Sequence, residues 1–186
     1  MNDNKGNLQP EKVTVGSELY DWAQALVTAI VFIVLLFTFV GRIIGVDGTS
    51  MLPTLQDGDR VVLQGILYEP KAGDIVVLTK KSFDEDPIVK RVIATEGQTV
   101  DIDFQTGALS IDGVVQDEPY IADLTHNRGD MTFPAVVPKD CIFVMGDNRN
   151  GSTDSRFSVI GMVDKRYVLG RVFMRVYPFN KIGSIS

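Results

Sequence analysis

The apolar positions of this chain follow two different rules, and the change of rule falls near residue 40. From Trp22 to Val40 the sequence reads WAQALVTAIVFIVLLFTFV, nineteen residues without a charge. As a helix rising about 1.5 Å per residue, this segment covers about 28 Å, close to the ~30 Å hydrocarbon core of a bilayer. Its β-branched and aromatic side chains circle the axis without a polar stripe, which favours a lipid-facing helix over a buried core helix. A cleavable signal peptide has a basic start and ends in small residues, whereas this segment follows Asp21 and ends in Phe39-Val40-Gly41-Arg42. We therefore expect a flexible polar tail over 1–21, holding Gly6, Pro10 and Gly16, and a retained membrane anchor over 22–40. Lys5 and Lys12 on one flank balance Arg42 and Arg60 on the other, so charge leaves the topology open.

Beyond residue 40 the rule becomes short apolar runs broken by turn residues. Residues 60–63, 74–78, 88–94, 99–104, 141–145 and 168–176 read as strands. Between them lie Gln56-Asp57-Gly58-Asp59, Ala72-Gly73-Asp74, Glu96-Gly97-Gln98 and Thr106-Gly107. Asp112-Gly113, between Leu109-Ser110-Ile111 and Val114-Val115, has the composition of a two-residue hairpin turn. No helical period of any length follows the anchor, and there is no internal repeat. The expectation for 41–186 is one mainly β domain.

Composition narrows the possible partners. The 146 residues after Val40 are enough for a core of their own and carry 16 basic against 20 acidic side chains. That balance argues against a nucleic-acid partner, which needs a basic surface. The lone cysteine, Cys141, sits in the apolar run Cys141-Ile142-Phe143-Val144-Met145 and reads as a small buried hydrophobe. There is no intrachain disulfide, and no Cys/His cluster suggests a metal or cofactor.

Candidate chemistry begins with Ser50, in Gly48-Thr49-Ser50-Met51-Leu52-Pro53-Thr54, just beyond the anchor. The usual partner of a reactive serine is histidine, but the single one, His126, lies in the polar run Thr125-His126-Asn127-Arg128-Gly129-Asp130. A base must come from elsewhere. In Ile88-Val89-Lys90-Arg91-Val92-Ile93-Ala94, strand alternation puts Ile88, Lys90, Val92 and Ala94 on one face and Val89, Arg91 and Ile93 on the other. An amine among such apolar neighbours is poorly hydrated, which disfavours its charged form. In an arbitrary β-protein such a lysine is more often an edge gatekeeper with its ammonium in water. Here the serine that lacks a histidine tips the reading toward Lys90 as base. Lys80 and Lys81 are rivals, but they adjoin Ser82, Asp84, Glu85 and Asp86 and look like a solvated loop. A third constellation, Gly146-Asp147-Asn148-Arg149-Asn150-Gly151-Ser152-Thr153-Asp154-Ser155-Arg156, follows an apolar strand; it reads as a polar turn with Asx capping and an ion pair, or as a set of groups that orients an amine.

Together these blocks resemble the bacterial type I signal peptidases, membrane-bound serine peptidases that remove signal peptides from exported proteins. Gly48-Thr49-Ser50-Met51-Leu52-Pro53-Thr54-Leu55 is similar to the nucleophile box, Lys90-Arg91-Val92-Ile93-Ala94 to the lysine box, and Gly146-Asp147-Asn148-Arg149 with Ser152, Asp154, Ser155 and Arg156 to the third box. Gly73-Asp74-Ile75-Val76-Val77 is similar to a strand between the first two boxes, and Tyr177-Pro178-Phe179-Asn180-Lys181-Ile182-Gly183 to a frequent ending. The short interval from Lys90 to Gly146 looks like the compact form typical of Gram-positive members. Two positions depart from the pattern: Gly48, where some members carry a hydroxyl that helps bind the oxyanion, and Ala94-Thr95-Glu96-Gly97-Gln98 in place of a Gly-Leu-Pro-Gly-Asp-like turn.

The resemblance implies a fold of antiparallel β-sheets, an N-terminus inside and a catalytic domain on the outer face of the cytoplasmic membrane. It implies Ser50 as nucleophile and Lys90 as general base. Ser152 would hydrogen-bond the Lys90 amine, Asp154 and Arg156 would form a structural ion pair, and Arg91 would be structural. The Ser50 backbone N–H, with a water or the Thr49 hydroxyl, would serve the oxyanion, and Met51 and Pro53 would shape the approach of the substrate. Its partners would be signal peptides with small-x-small sites and the phospholipid membrane. Val46-Asp47 and residues 75–78 are candidate pocket walls. The alternatives are a specialised pilin-type precursor peptidase and an inert anchored β-domain that binds exported proteins. Self-cleaving repressors share the serine–lysine chemistry but fit poorly, because an anchor stands where a DNA-binding domain belongs.

Overall fold

The computed structural model describes residues 15–39, 42–65, 68–79 and 86–185, without the side chains of Val15, Ser17 and 35–39. Two units divide the chain, 1–39 and 40–186.

Among the described residues of the first unit lies one helix, α1 (Val15–Phe39), with Glu18 in its first turn. It starts seven residues before the expected anchor, so 15–21 is helical and not tail. An acidic side chain at the positive end of the helix dipole favours that earlier start. Residues 1–14 and Val40 lie outside the described residues. Among the described residues no helix is long and apolar enough to cross a membrane. The apolar run of the sequence continues into 35–39, whose side chains are not described. Along the described part, Trp22, Leu26, Val27, Ile30, Val31, Phe32, Ile33 and Val34 are all exposed.

The second unit is built of two antiparallel sheets, as expected. The larger has eight strands, ordered β1 (Arg42–Gly45), β2 (Arg60–Gln64), β11 (Val168–Tyr177), β3 (Ile75–Leu78), β4 (Ile88–Thr95), β9 (Cys141–Met145) and β10 (Val163–Asp164), with β12 (Gly183–Ser184) added against β11. The smaller runs β7 (Val114–Val115), β6 (Ala108–Ile111), β5 (Thr99–Asp103) and β8 (Ala135–Val136). Asp112 and Gly113 both take positive φ, and Ile111 pairs with Val114, so the expected two-residue turn closes the β6–β7 hairpin.

Three apolar clusters hold the sheets. One gathers Val46, Met51 and Leu55 with Val61, Ile75, Val77 and Val89. A second joins Val100, Ile102 and Leu109 of the small sheet to Ile93, Ala94, Phe143 and Met145 of the large one. Strict alternation along β4 fails at its end, because a register shift between Val92 and Ala94 brings both Ile93 and Ala94 into this second cluster. Residues 75–78 are therefore not a substrate wall: β3 is paired on both sides, by β11 and β4, and its side chains are at most 2% exposed.

Candidate active site

Ser50 sits in a loop whose shape follows from two plugs. Met51 and Leu55 are buried in the first core cluster, and Leu55 N–H donates to the Met51 carbonyl at 2.9 Å. Backbone bonds from Val46 to Asp59 and from Gly58 to Val46 close the base of the loop. Met51 is therefore a core residue and not part of a substrate channel, because its side chain is 1% exposed. Pro53 and Thr49 are exposed, and Ser50 is half-buried. Gly48 has φ +85, and its N–H donates to Asp57 Oδ1 at 2.8 Å, so this amide is committed within the loop.

The loop presents Ser50 to β4. Lys90 Nζ lies 2.8 Å from Ser50 Oγ and donates to the Val89 carbonyl at 3.1 Å. The lysine is 3% exposed, and burial lowers its pKa from 10.5 to about 8, against the opposing pull of Asp154 and Asp147. Hydroxyl and amine are thus at proton-transfer distance, with the amine close to half neutral in mildly alkaline water. Lys80 and Lys81 lie outside the described residues.

The third sequence block locks both groups. The Asn148 N–H donates to the Ser50 carbonyl and its side-chain amide to the Thr49 carbonyl, each at 3.1 Å. Arg91, next to Lys90, makes a bidentate pair with Asp147, with both bonds at 2.8 Å. The Thr54 hydroxyl also donates to Asp147. Arg156 pairs with Asp154 in the same bidentate way, fully buried, and Asp154 accepts from Gly146 N–H at 3.0 Å. Both ion pairs are buried, with side chains at most 2% exposed. Gly146 has a steric duty, since a Cβ there would meet the Ser152 side chain and the Ser50 carbonyl oxygen.

Ser152 differs from expectation. It is 3% exposed and its hydroxyl makes no hydrogen bond, while the Val89 carbonyl takes the place beside the Lys90 amine that Ser152 was expected to fill. A backbone acceptor on the lysine's own strand needs no alignment across the fold. Glu118 and Tyr120 were not singled out by the sequence at all. Glu118 makes a bidentate pair with Arg149, and the Tyr120 ring lies 4.0 Å beneath the Arg91 guanidinium. Only their place in Asp117-Glu118-Pro119-Tyr120, an acidic and aromatic run after a hairpin, hinted at a buried role. Among the described residues, no group of His, Cys, Asp or Glu side chains is arranged to hold a metal.

The family described as signal peptidase, peptidase S26, matches residues 19–177. Signal peptidase I S of Bacillus subtilis (strain 168) is 37% identical over 186 residues, covering 94% of this chain and 98% of that protein. Signal peptidase I of Bacillus amyloliquefaciens is 36% identical over 188 residues, covering 94% and 96%. Signal peptidase IB of Staphylococcus aureus (strain N315) is 34% identical over 182 residues, covering 88% and 92%. A crystal structure of a signal peptidase I from Enterococcus faecalis V583 aligns with a TM-score of 0.47 at 28% identity, over 56% of this chain and 97% of that one. With most of its length matched and its boxes in order, this chain belongs to the peptidase S26 family of signal peptidases.

Proposed function

We propose that this protein is a membrane-anchored serine endopeptidase that removes signal peptides from exported preproteins, with Ser50 as nucleophile and Lys90 as general base. The observation that carries this reading is the 2.8 Å approach of a buried, neutralisable amine to the Ser50 hydroxyl. Neutral Lys90 takes the Oγ proton as Oγ attacks the scissile carbonyl carbon. The resulting ammonium then protonates the departing amine, leaving an ester on Ser50. Lys90 next deprotonates a water that hydrolyses the ester and restores the hydroxyl. The oxyanion is stabilised by the Ser50 backbone N–H, with the Thr49 hydroxyl or a water as second donor, because Gly48 offers no side chain and its N–H is held by Asp57.

The substrate is an extended segment with small residues before the cut. The outermost strand of the large sheet, β1, is mostly exposed and leads straight into the Ser50 loop. A peptide added along that edge is delivered to Oγ. Helix α1 is the anchor: its exposed apolar side chains, dense over 30–34, suit lipid, and the N-terminus lies inside with the β domain on the outer face of the bacterial cytoplasmic membrane. Sharing one bilayer raises the effective concentration of enzyme and substrate.

The test is cleavage of a purified signal-peptide-bearing precursor by the detergent-solubilised chain and its Ser50→Ala and Lys90→Ala forms, with the new N-terminus sequenced. We expect cutting after a small-x-small site and none by either variant. Binding without cutting by all three forms would instead make the chain an anchored binding domain.

A further inference from the structure

Three arginines and three carboxylates surround the dyad, and two of the arginines are held from a segment that carries none of the sequence boxes. The connection after β7 turns Glu118 and Tyr120 inward. The Glu118 carboxylate accepts both Arg149 terminal nitrogens, and the two side chains are 6% and 0% exposed. Tyr120 donates its hydroxyl to Glu118 Oε1 at 2.9 Å. Its ring lies 4.0 Å from the Arg91 guanidinium and 5.8 Å from that of Arg149. The buried Thr125 hydroxyl, from the same connection, accepts from Arg149 Nη1 at 3.1 Å.

These contacts lead to the dyad by short paths. Arg91 follows Lys90 on β4 and fixes Asp147, while Arg149 closes the same turn on its other side. Between them, Asn148 grips the Ser50 and Thr49 carbonyls. A ring stacked on a guanidinium restricts its tilt, and a bidentate carboxylate fixes its plane. We propose that Glu118 and Tyr120 are positioning residues of the peptidase reaction, setting the 147–149 turn that holds the Ser50 loop against Lys90. This rests on the Ser50–Lys90 reading above.

The charged groups acting on Lys90 are Asp154 and Asp147, which favour its ammonium, and each is paired with an arginine. Glu118 and Arg149 are not among them, so their route to the dyad is the geometry of the 147–149 turn.

The experiment measures kcat, KM and the pH profile of the full chain in detergent on a signal-peptide substrate, per folded molecule by thermal melting. Misplacement of reacting groups by about 1 Å costs about 10²-fold. We expect Tyr120→Leu to lower kcat by about 10- to 100-fold with KM within about twofold. Tyr120→Phe, which keeps the ring, should stay within about threefold of the parent. Glu118→Gln should lower kcat and leave the acid limb in place. A purely packing role would lower the melting temperature and leave kcat per folded molecule unchanged, and that result overturns the proposal, as does equal damage from Phe and Leu. If Tyr120→Leu does not fold, Glu118→Gln carries the test, and an unchanged kcat overturns the proposal. Ser50→Ala and Lys90→Ala in the same assay separate the two readings: turnover by either removes the dyad itself, whereas dead dyad variants beside a fully active Tyr120→Leu remove only the positioning role.

Discussion

Lys90 and Lys165 both sit near two carboxylates, yet their amines move in opposite directions. Lys165 lies at the domain surface, 3.1 Å from Glu96 and 3.8 Å from Glu69, and the Glu96 bond raises its pKa. Lys90 has Asp154 and Asp147 nearby, but burial takes its pKa down to about 8. The difference lies in what the carboxylates are doing. Asp154 and Asp147 are already matched by the guanidiniums of Arg156 and Arg91, so little of their charge is left for the amine. Glu96 accepts directly from Lys165. Arginine pairing thus keeps acidic groups beside the buried amine without letting them hold its proton.

Lys90→Arg breaks this comparison most completely. A guanidinium cannot be deprotonated in a protein, so we expect precursor cleavage to fall by about 10⁴ or more, with no recovery at alkaline pH. In the parent, kcat/KM should rise with pH through about 8, because only the neutral amine accepts the Ser50 proton. Next comes Asp154→Asn, which strands Arg156 as a buried charge and should cost about 3–5 kcal/mol in urea unfolding.

Lys90→Met sharpens the comparison from the other side. The folded pKa lies below the unfolded one, so the unfolded chain binds more protons between pH 8 and 10.5, and stability rises with pH across that window. Below it, burying the ammonium opposes folding by about 3 kcal/mol. The methionine variant should therefore be more stable than the parent at pH 7 by about 1–3 kcal/mol, a margin that shrinks by pH 10 and is lost in activity. Glu96→Gln should do least: a barely shifted melting temperature, and a difference that salt removes.

The centre of this molecule was more legible in the sequence than its edges. The six long apolar runs became strands because each buries at least one face, and period-two patterning reports burial. The missed strands β1, β8, β10 and β12 are four residues or fewer and lie at sheet margins, where pairing is set by a neighbour and not by a local pattern. Ser50, Lys90 and the Asp154–Arg156 pair were readable because each sits in a dense local block. Met51 turns into the core although it adjoins Ser50, because proximity in sequence says nothing about which way a side chain points. Tyr120 escaped because its partners, Arg91 and Arg149, lie 29 residues away on either side in sequence.

The contact at Gly146 also bears on how the protein is made. The Ser50 carbonyl and the Ser152 side chain leave no room for a methyl group there, so the nucleophile loop and the third block meet across 96 residues of chain. While a ribosome has delivered only the first hundred residues, Arg91 has no Asp147, the Ser50 loop has no Asn148, and nothing holds the hydroxyl against the amine. The newborn chain therefore holds Ser50 and Lys90 without the contacts that join them, and their pairing arrives only with the last third of the polypeptide.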